Sequence, residues 1–118
     1  MHEYEVEFYR RENGKCPVIE FLSSIDNKMR AKIMMVIALL EDNGPALREP
    51  YSKPIGNGIF ELRAKQGSNI TRVLYFFFVN KKIVLTNGFT KKTEKTPPSE
   101  IETADKYRSD YLERKEFL

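Results

Sequence analysis

Arg63 and Arg72 stand on either side of a short turn, Gln66–Asn69. In a hairpin built on that turn the two guanidiniums approach each other. Two positive groups in one place repel unless an anion lies between them, and the planar fork of arginine donors fits phosphate oxygens. The same spacing admits a structural arrangement, with Arg63 paired to Glu61 and Arg72 to a carboxylate on the last helix. Lys91 and Lys92 follow Gly88-Phe89, and Lys95 lies further along the connector NGFTKKTEKTPPSEIE. Pro97-Pro98 fix the direction in which this connector leaves. Stiffness would serve lysines that hold a phosphate; a solvated turn with solubilising lysines has the same composition. Tyr75 heads the aromatic run Phe76-Phe77-Phe78, and offers either a stacking surface for a base or a core side chain. Arg72 enters a strand that is otherwise apolar, where a charge is costly unless exposed or paired. It is therefore expected to face an open groove.

Several chemistries are excluded. The only histidine, His2, lies at the terminus, and no CxxC or HxxxH spacing occurs, so no metal site or cofactor is expected. There is no Gly-rich phosphate loop and no GxSxG, and a Ser-His-Asp triad lacks its histidine. The single cysteine, Cys16, cannot form an internal disulfide, which fits a reducing, cytoplasmic setting. The acidic, alternating start MHEYEVEFYRRE has no export-signal pattern. The apolar run Val73–Val79 is too short to span a bilayer, so no membrane association is expected.

Charge is segregated along the chain. Residues 1–47 hold six Lys/Arg against eight Asp/Glu, residues 48–95 hold ten against three, and residues 96–118 hold four against six. A basic middle between acidic ends gives the segregated positive field that a polyphosphate partner needs.

The elements that must position these residues follow from hydrophobic period. Tyr4–Tyr9 alternates and reads as a strand with one wet face. Pro17 opens a short helix, VIEFLSSI. Asp26 is placed to cap the next helix, whose Met29, Ile33, Val36, Ile37 and Leu40 form one apolar stripe. Asn43-Gly44-Pro45 ends it, and PALREPYSKPIGNG reads as a loop. Ile59–Lys65 alternates, with Glu61, Arg63 and Lys65 on one face. Ile70–Val79 reads as a central strand buried on both sides, and Ile83–Asn87 as its hairpin partner. Thr96 is placed to cap a last helix with Pro97 at its first position; Ile101, Ala104, Tyr107, Tyr111 and Leu112 supply its stripe. The order β-α-α-β-β-β-α predicts a single α+β domain over residues 1–118 with an antiparallel sheet.

The segments CPVIEFLSSI, YSKPIGNGIFELR, TRVLYFF and GFTKKTEKTPPSEIETA, in this order, resemble the phage-derived, HigB-like branch of the RelE/ParE toxin superfamily from Tyr4 to about Tyr111. The resemblance implies a RelE-like fold: a twisted antiparallel sheet, two N-terminal helices against it and a C-terminal helix. It implies the toxin of a type II toxin–antitoxin system that cleaves mRNA on the ribosome. The implied partners are that mRNA and a helix-turn-helix antitoxin encoded by the adjacent gene. Such cleavage, by attack of a ribose 2′-hydroxyl on the adjacent phosphate, needs positive charge on the developing dianion and a proton carrier, not a metal.

On this pattern Arg72 matches the strand arginine before the V-L-Y run, Lys91 and Lys92 match the basic residues after the last strand, and Arg63 closes the E-L-R. Tyr75 joins the catalytic candidates, with Glu61 as a base or as an orienting partner for Arg63. Lys53, Lys65, Lys92 and Lys95 are the expected RNA-backbone contacts. Two departures stand out. Asn87 occupies a position where many relatives carry histidine, and the paired lysines of RelE have no match at Ile59 and Glu61. Two other readings share the fold: a ParE-like toxin acting on DNA gyrase without nuclease activity, and a binding module that has lost activity. Clustering of Arg63, Arg72, Lys91 and Lys92 in one groove is the feature that would favour the nuclease.

Overall fold

Apolar side chains on both faces place Asn69–Phe78 (β4) at the centre of the sheet, because only a strand covered on each side can carry such a run. The computed structural model describes residues 2–116. Five strands lie in the order β1-β5-β4-β3-β2, where β1 is Glu5–Phe8, β2 Ser52–Gly56, β3 Ile59–Gln66 and β5 Lys82–Lys91. Helices α1 (Pro17–Ser24) and α2 (Asn27–Asn43) cover one face, and α3 (Pro98–Glu116) packs on the other.

The α+β class is as expected, but the sheet departs from the sequence reading in two ways. It is mixed rather than antiparallel, since β1 pairs with β5 in parallel, from Glu5 opposite Lys82 to Phe8 opposite Leu85. Period-two patterning reports a strand but not the direction of a partner at the far end of the chain. The Pro/Gly-rich stretch read as a loop contains β2, which pairs with β3. An edge strand tolerates Pro54 because one side of it needs no ladder partner.

The stripe on α2 behaves as its spacing requires. Met29, Ile33, Val36, Ile37 and Leu40 are buried and pack with Leu62, Val73, Tyr75, Ile83 and Leu85. The Asp26 carboxylate caps the helix by accepting from the Met29 amide at 2.8 Å. Gly44 ends it at φ +52, with its N–H on the Leu40 carbonyl and the Tyr4 ring where a Cβ would stand. Across the sheet, Ile59, Leu74 and Phe89 pack against Ala104, and Phe76 and Val84 against Tyr111. Leu112 faces solvent instead.

β5 runs on to Lys91 rather than stopping at Asn87. Its register on β4 shifts between Leu74–Asn87 and Tyr75–Leu85, so Thr86 is an extra residue, a bulge. The buried Thr86 hydroxyl bonds to the Leu74 carbonyl at 3.2 Å and to Asn87 Oδ1 at 2.7 Å. A bulge changes which face later residues occupy. Here it carries Asn87 and Phe89 to the α3 side, opposite Leu74 and Arg72.

Candidate active site

On the α3 side of the sheet the charged residues fall into cross-strand rows. Lys53 stands opposite Glu61, Glu61 opposite Leu74, and Leu74 opposite Asn87. In the next row Arg63 stands opposite Arg72, and Arg72 opposite Phe89; beyond it run Lys65, Ile70 and Lys91. Like charges directly opposed across a ladder destabilise a sheet, so the Arg63–Arg72 pair needs an anion. Glu61 supplies it. Its Oε1 accepts from Arg63 Nε at 2.6 Å, and its Oε2 lies 3.6 Å from Arg72 Nε. Glu61 is fully buried, and the Thr96 hydroxyl donates to Oε2 as well.

The structural alternative read from the sequence is therefore present for Arg63. Arg72 shares the same carboxylate instead of reaching one on α3. The expected open groove is absent at Arg72: its side chain has no exposed surface. The segment 92–97, between β5 and α3, lies over it. Arg72 Nη2 donates to the Thr93 carbonyl, and its guanidinium carbon sits 5.6 Å from the centre of the Phe89 ring, within cation–π reach. Its Nε and Nη1 meet no hydrogen-bond acceptor. Burial pushes the Arg72 pKa down, against the pull of Glu61, yet an arginine stays charged. Burial also opposes the charge on Arg63, but the hydrogen bonds and charges of Glu61 and Glu94 outweigh it and the net shift is upward.

Glu94 completes the closure. Its Oε1 accepts from Arg63 Nη1 at 3.0 Å, its Oε2 lies 3.4 Å from Lys65 Nζ, and its backbone carbonyl accepts from Arg63 Nη2. The hydrogen bonds from Lys65 and then Arg63 hold its carboxyl below the usual carboxylate range. Thr96 spends its hydroxyl on Glu61 rather than capping α3, so the helix begins at Pro98. Glu94, and the bond from Thr96 to Glu61, escape sequence reasoning, although Glu94 is the one acid among Lys91, Lys92 and Lys95.

The remaining candidates divide. Lys91, Lys92 and Lys95 are exposed at the rim, and Lys53 is half-buried beside Glu61 on the edge strand. Tyr75 is not brought to this site. It lies on the α1/α2 side, buried, stacked on Phe60 at 5.5 Å and hydrogen-bonded through its hydroxyl to Ser52; desolvation raises its pKa. Asn87 Nδ2 donates to the Glu100 backbone carbonyl at 3.2 Å and to Glu100 Oε1 at 3.1 Å, tying β5 to the first turn of α3.

The mixed sheet thus lies between two N-terminal helices and a C-terminal one, with an enclosed Arg-Glu-Arg cluster on its α3 side. The chain belongs to the family described as "Phage derived protein Gp49-like (DUF891)", a RelE/HigB-type toxin family whose model matches residues 20–109. It is similar to "Probable endoribonuclease HigB1" of Mycobacterium tuberculosis, in strains CDC 1551 / Oshkosh and ATCC 25618 / H37Rv. With each it shares 44% identity over 52 residues. That stretch is 44% of this chain and spans 41% of the relatives' length.

Proposed function

We propose that this chain is the toxin of a type II toxin–antitoxin pair and an endoribonuclease that cleaves mRNA on the ribosome. The observation that carries this reading is the Arg63–Glu61–Arg72 cluster with Glu94 seated on it. As it stands, Arg63, Arg72 and Lys65 face two carboxylates. When segment 92–97 lifts, Glu94 leaves, and three cations remain against Glu61 alone. Arg72 then turns two unoccupied donors, and Arg63 its Nη groups, towards a phosphate that takes the place of Glu94.

In this mechanism the ribose 2′-oxygen attacks phosphorus and the 5′-oxygen departs, leaving a 2′,3′-cyclic phosphate. Arg72 and Arg63 stabilise the charge that gathers on the non-bridging oxygens. Glu61, engaged on both oxygens, orients the arginines rather than taking a proton. Lys91, at the end of β5, is placed to give a proton to the leaving 5′-oxygen, while the proton of the attacking 2′-hydroxyl passes to solvent water. Lys53, Lys65, Lys92 and Lys95 hold flanking phosphates. Tyr75 has no part in it, given where it lies. The antitoxin, a helix-turn-helix protein from the adjacent gene, silences the toxin in the cytoplasm by covering this basic rim. Among the described residues no helix is long and apolar enough to cross a membrane.

The full enclosure of Arg72 favours a second reading, in which the cluster is only a structural ion pair and the protein acts through contacts, as a gyrase-directed toxin or an inactive module. Inducing the chain alone in cells and mapping new mRNA 5′ ends separates the two. The nuclease yields new ends within coding sequence. Growth arrest without new ends supports the second; the same new ends from Arg72→Met would leave a nuclease whose cluster is structural.

A further inference from the structure

Beside the cluster, β2 ends before β3 does. Ser52 pairs with Leu62 and the Arg63 amide donates to the Tyr51 carbonyl at 2.9 Å, but β3 continues to Gln66. Along this unpaired edge, α2 stands off from the chain at Pro50-Tyr51. Between them is a groove of about 370 Å³, in the range of small-ligand pockets of roughly 300–1,000 Å³. Met35 and Tyr51 line it with 57% and 39% of their surface exposed. Lys32, Arg63 and Lys65 also line it, and among the described residues no carboxylate does. Lys32 Nζ donates to the Lys65 carbonyl at 3.1 Å, which holds an ammonium across the groove.

We infer that this groove is a base subsite for single-stranded RNA, taking one unpaired nucleobase against Tyr51 and Met35. The inference rests on the RNA-cleaving reading of the adjacent cluster. An aromatic ring beside a polarisable thioether suits the flat face of a base. The cations point to the same class of ligand. Arg63 and Lys65 form part of the groove's wall at the edge of β3, while their side chains turn to the α3 side and hold Glu94, so a strand passing round that edge would join a base in the groove to a phosphate that lies where Glu94 now sits. A groove with apolar walls and a shared cationic end fits a nucleotide. An acidic protein segment is drawn by the cations alone and gains nothing from a stacking face.

The test uses a fully 2′-O-methylated RNA hexamer carrying 2-aminopurine, which binds without being cut. Stacking quenches its fluorescence. Tyr51→Ala is expected to weaken binding by about 5- to 100-fold, with Tyr51→Phe, the control for folding, binding as wild type. Lys32→Ala is expected to lower the salt slope of binding by about 0.7. Unquenched or absent binding by the wild-type chain, or wild-type affinity in Tyr51→Ala, overturns the subsite. So does a polyglutamate peptide that binds as tightly as the hexamer with equal sensitivity to Tyr51→Ala, which would give the groove to an acidic protein segment. The two readings fail separately. If the hexamer is held through Tyr51 while no mRNA is cut, the nuclease falls and the subsite stands. If mRNA is cut and Tyr51→Ala leaves both KM and hexamer affinity unchanged, the subsite alone falls.

Discussion

Glu61 holds two arginines apart from inside the protein, and removing it leaves Arg72 enclosed without a counter-charge. A buried charge stripped of its partner costs about 3–5 kcal/mol, whereas replacing a whole buried ion pair by apolar side chains of similar size is often neutral. Glu61→Ala is therefore expected to lower stability by about 3–5 kcal/mol in urea unfolding. Arg72→Met is expected to cost far less, because Glu61 keeps Arg63 and Thr96. Equal losses for the two variants would contradict this asymmetry. Glu94 gives a second test. Its pKa is depressed in the folded protein, so its contribution is complete above its ordinary value of 4.5 and is lost as pH falls through the lower, folded value. Protection of the segment 92–97 amides from hydrogen exchange, taken relative to their intrinsic rate at each pH, should stay constant from neutral pH to about pH 4.5 and fall below it. Loosening that begins well above pH 5 would point to another group.

The elements differ in how openly the sequence announces them. The α2 stripe and its Asp26 cap were legible because both are local: one is a period, the other a residue type at a fixed offset. Asp26→Ala is expected to cost about 1 kcal/mol, read as a lower melting temperature. Leu74, fully buried in β4 between Ile59 and Phe89, was legible for the same reason. Leu74→Ala is expected to cost about 2–5 kcal/mol. What was not legible depends on partners far along the chain. The parallel pairing of β1 with β5 leaves no local pattern. The Thr86 bulge moves Phe89 across the sheet and hides the end of β5. Segment 92–97 reads as an open basic loop until the carbonyls of Thr93 and Glu94 are seen on Arg72 and Arg63. The arginine pair itself was foreseeable from the hairpin, but its full enclosure was not, since the covering segment comes from beyond β5.

Over the whole molecule, half of the basic middle of the sequence becomes a rim, while its Lys81 and Lys82 pair with Glu3 and Glu7 beside β1. Lys53, Lys65, Lys91, Lys92 and Lys95 surround the cluster, while the acidic ends of the chain supply most of β1 and α3. Binding to single-stranded RNA should therefore weaken steeply with salt, each neutralised phosphate adding about 0.7 to the log–log slope. Affinity that is flat between low and physiological salt would remove phosphate contacts from the picture. The proposed conversion of a closed ion cluster into a phosphate site makes opposite demands on two neighbouring residues. Single-turnover cleavage of ribosome-bound mRNA by wild type, Glu94→Gln and Arg72→Met measures both. Glu94→Gln, freed of the anion that competes with phosphate, is expected to cleave faster. Arg72→Met, still folded, is expected to cleave about 100- to 1,000-fold more slowly. Cleavage by Arg72→Met at the wild-type rate would show that the cluster holds the fold together and does no chemistry, and a slower Glu94→Gln would show that Glu94 does not compete with phosphate.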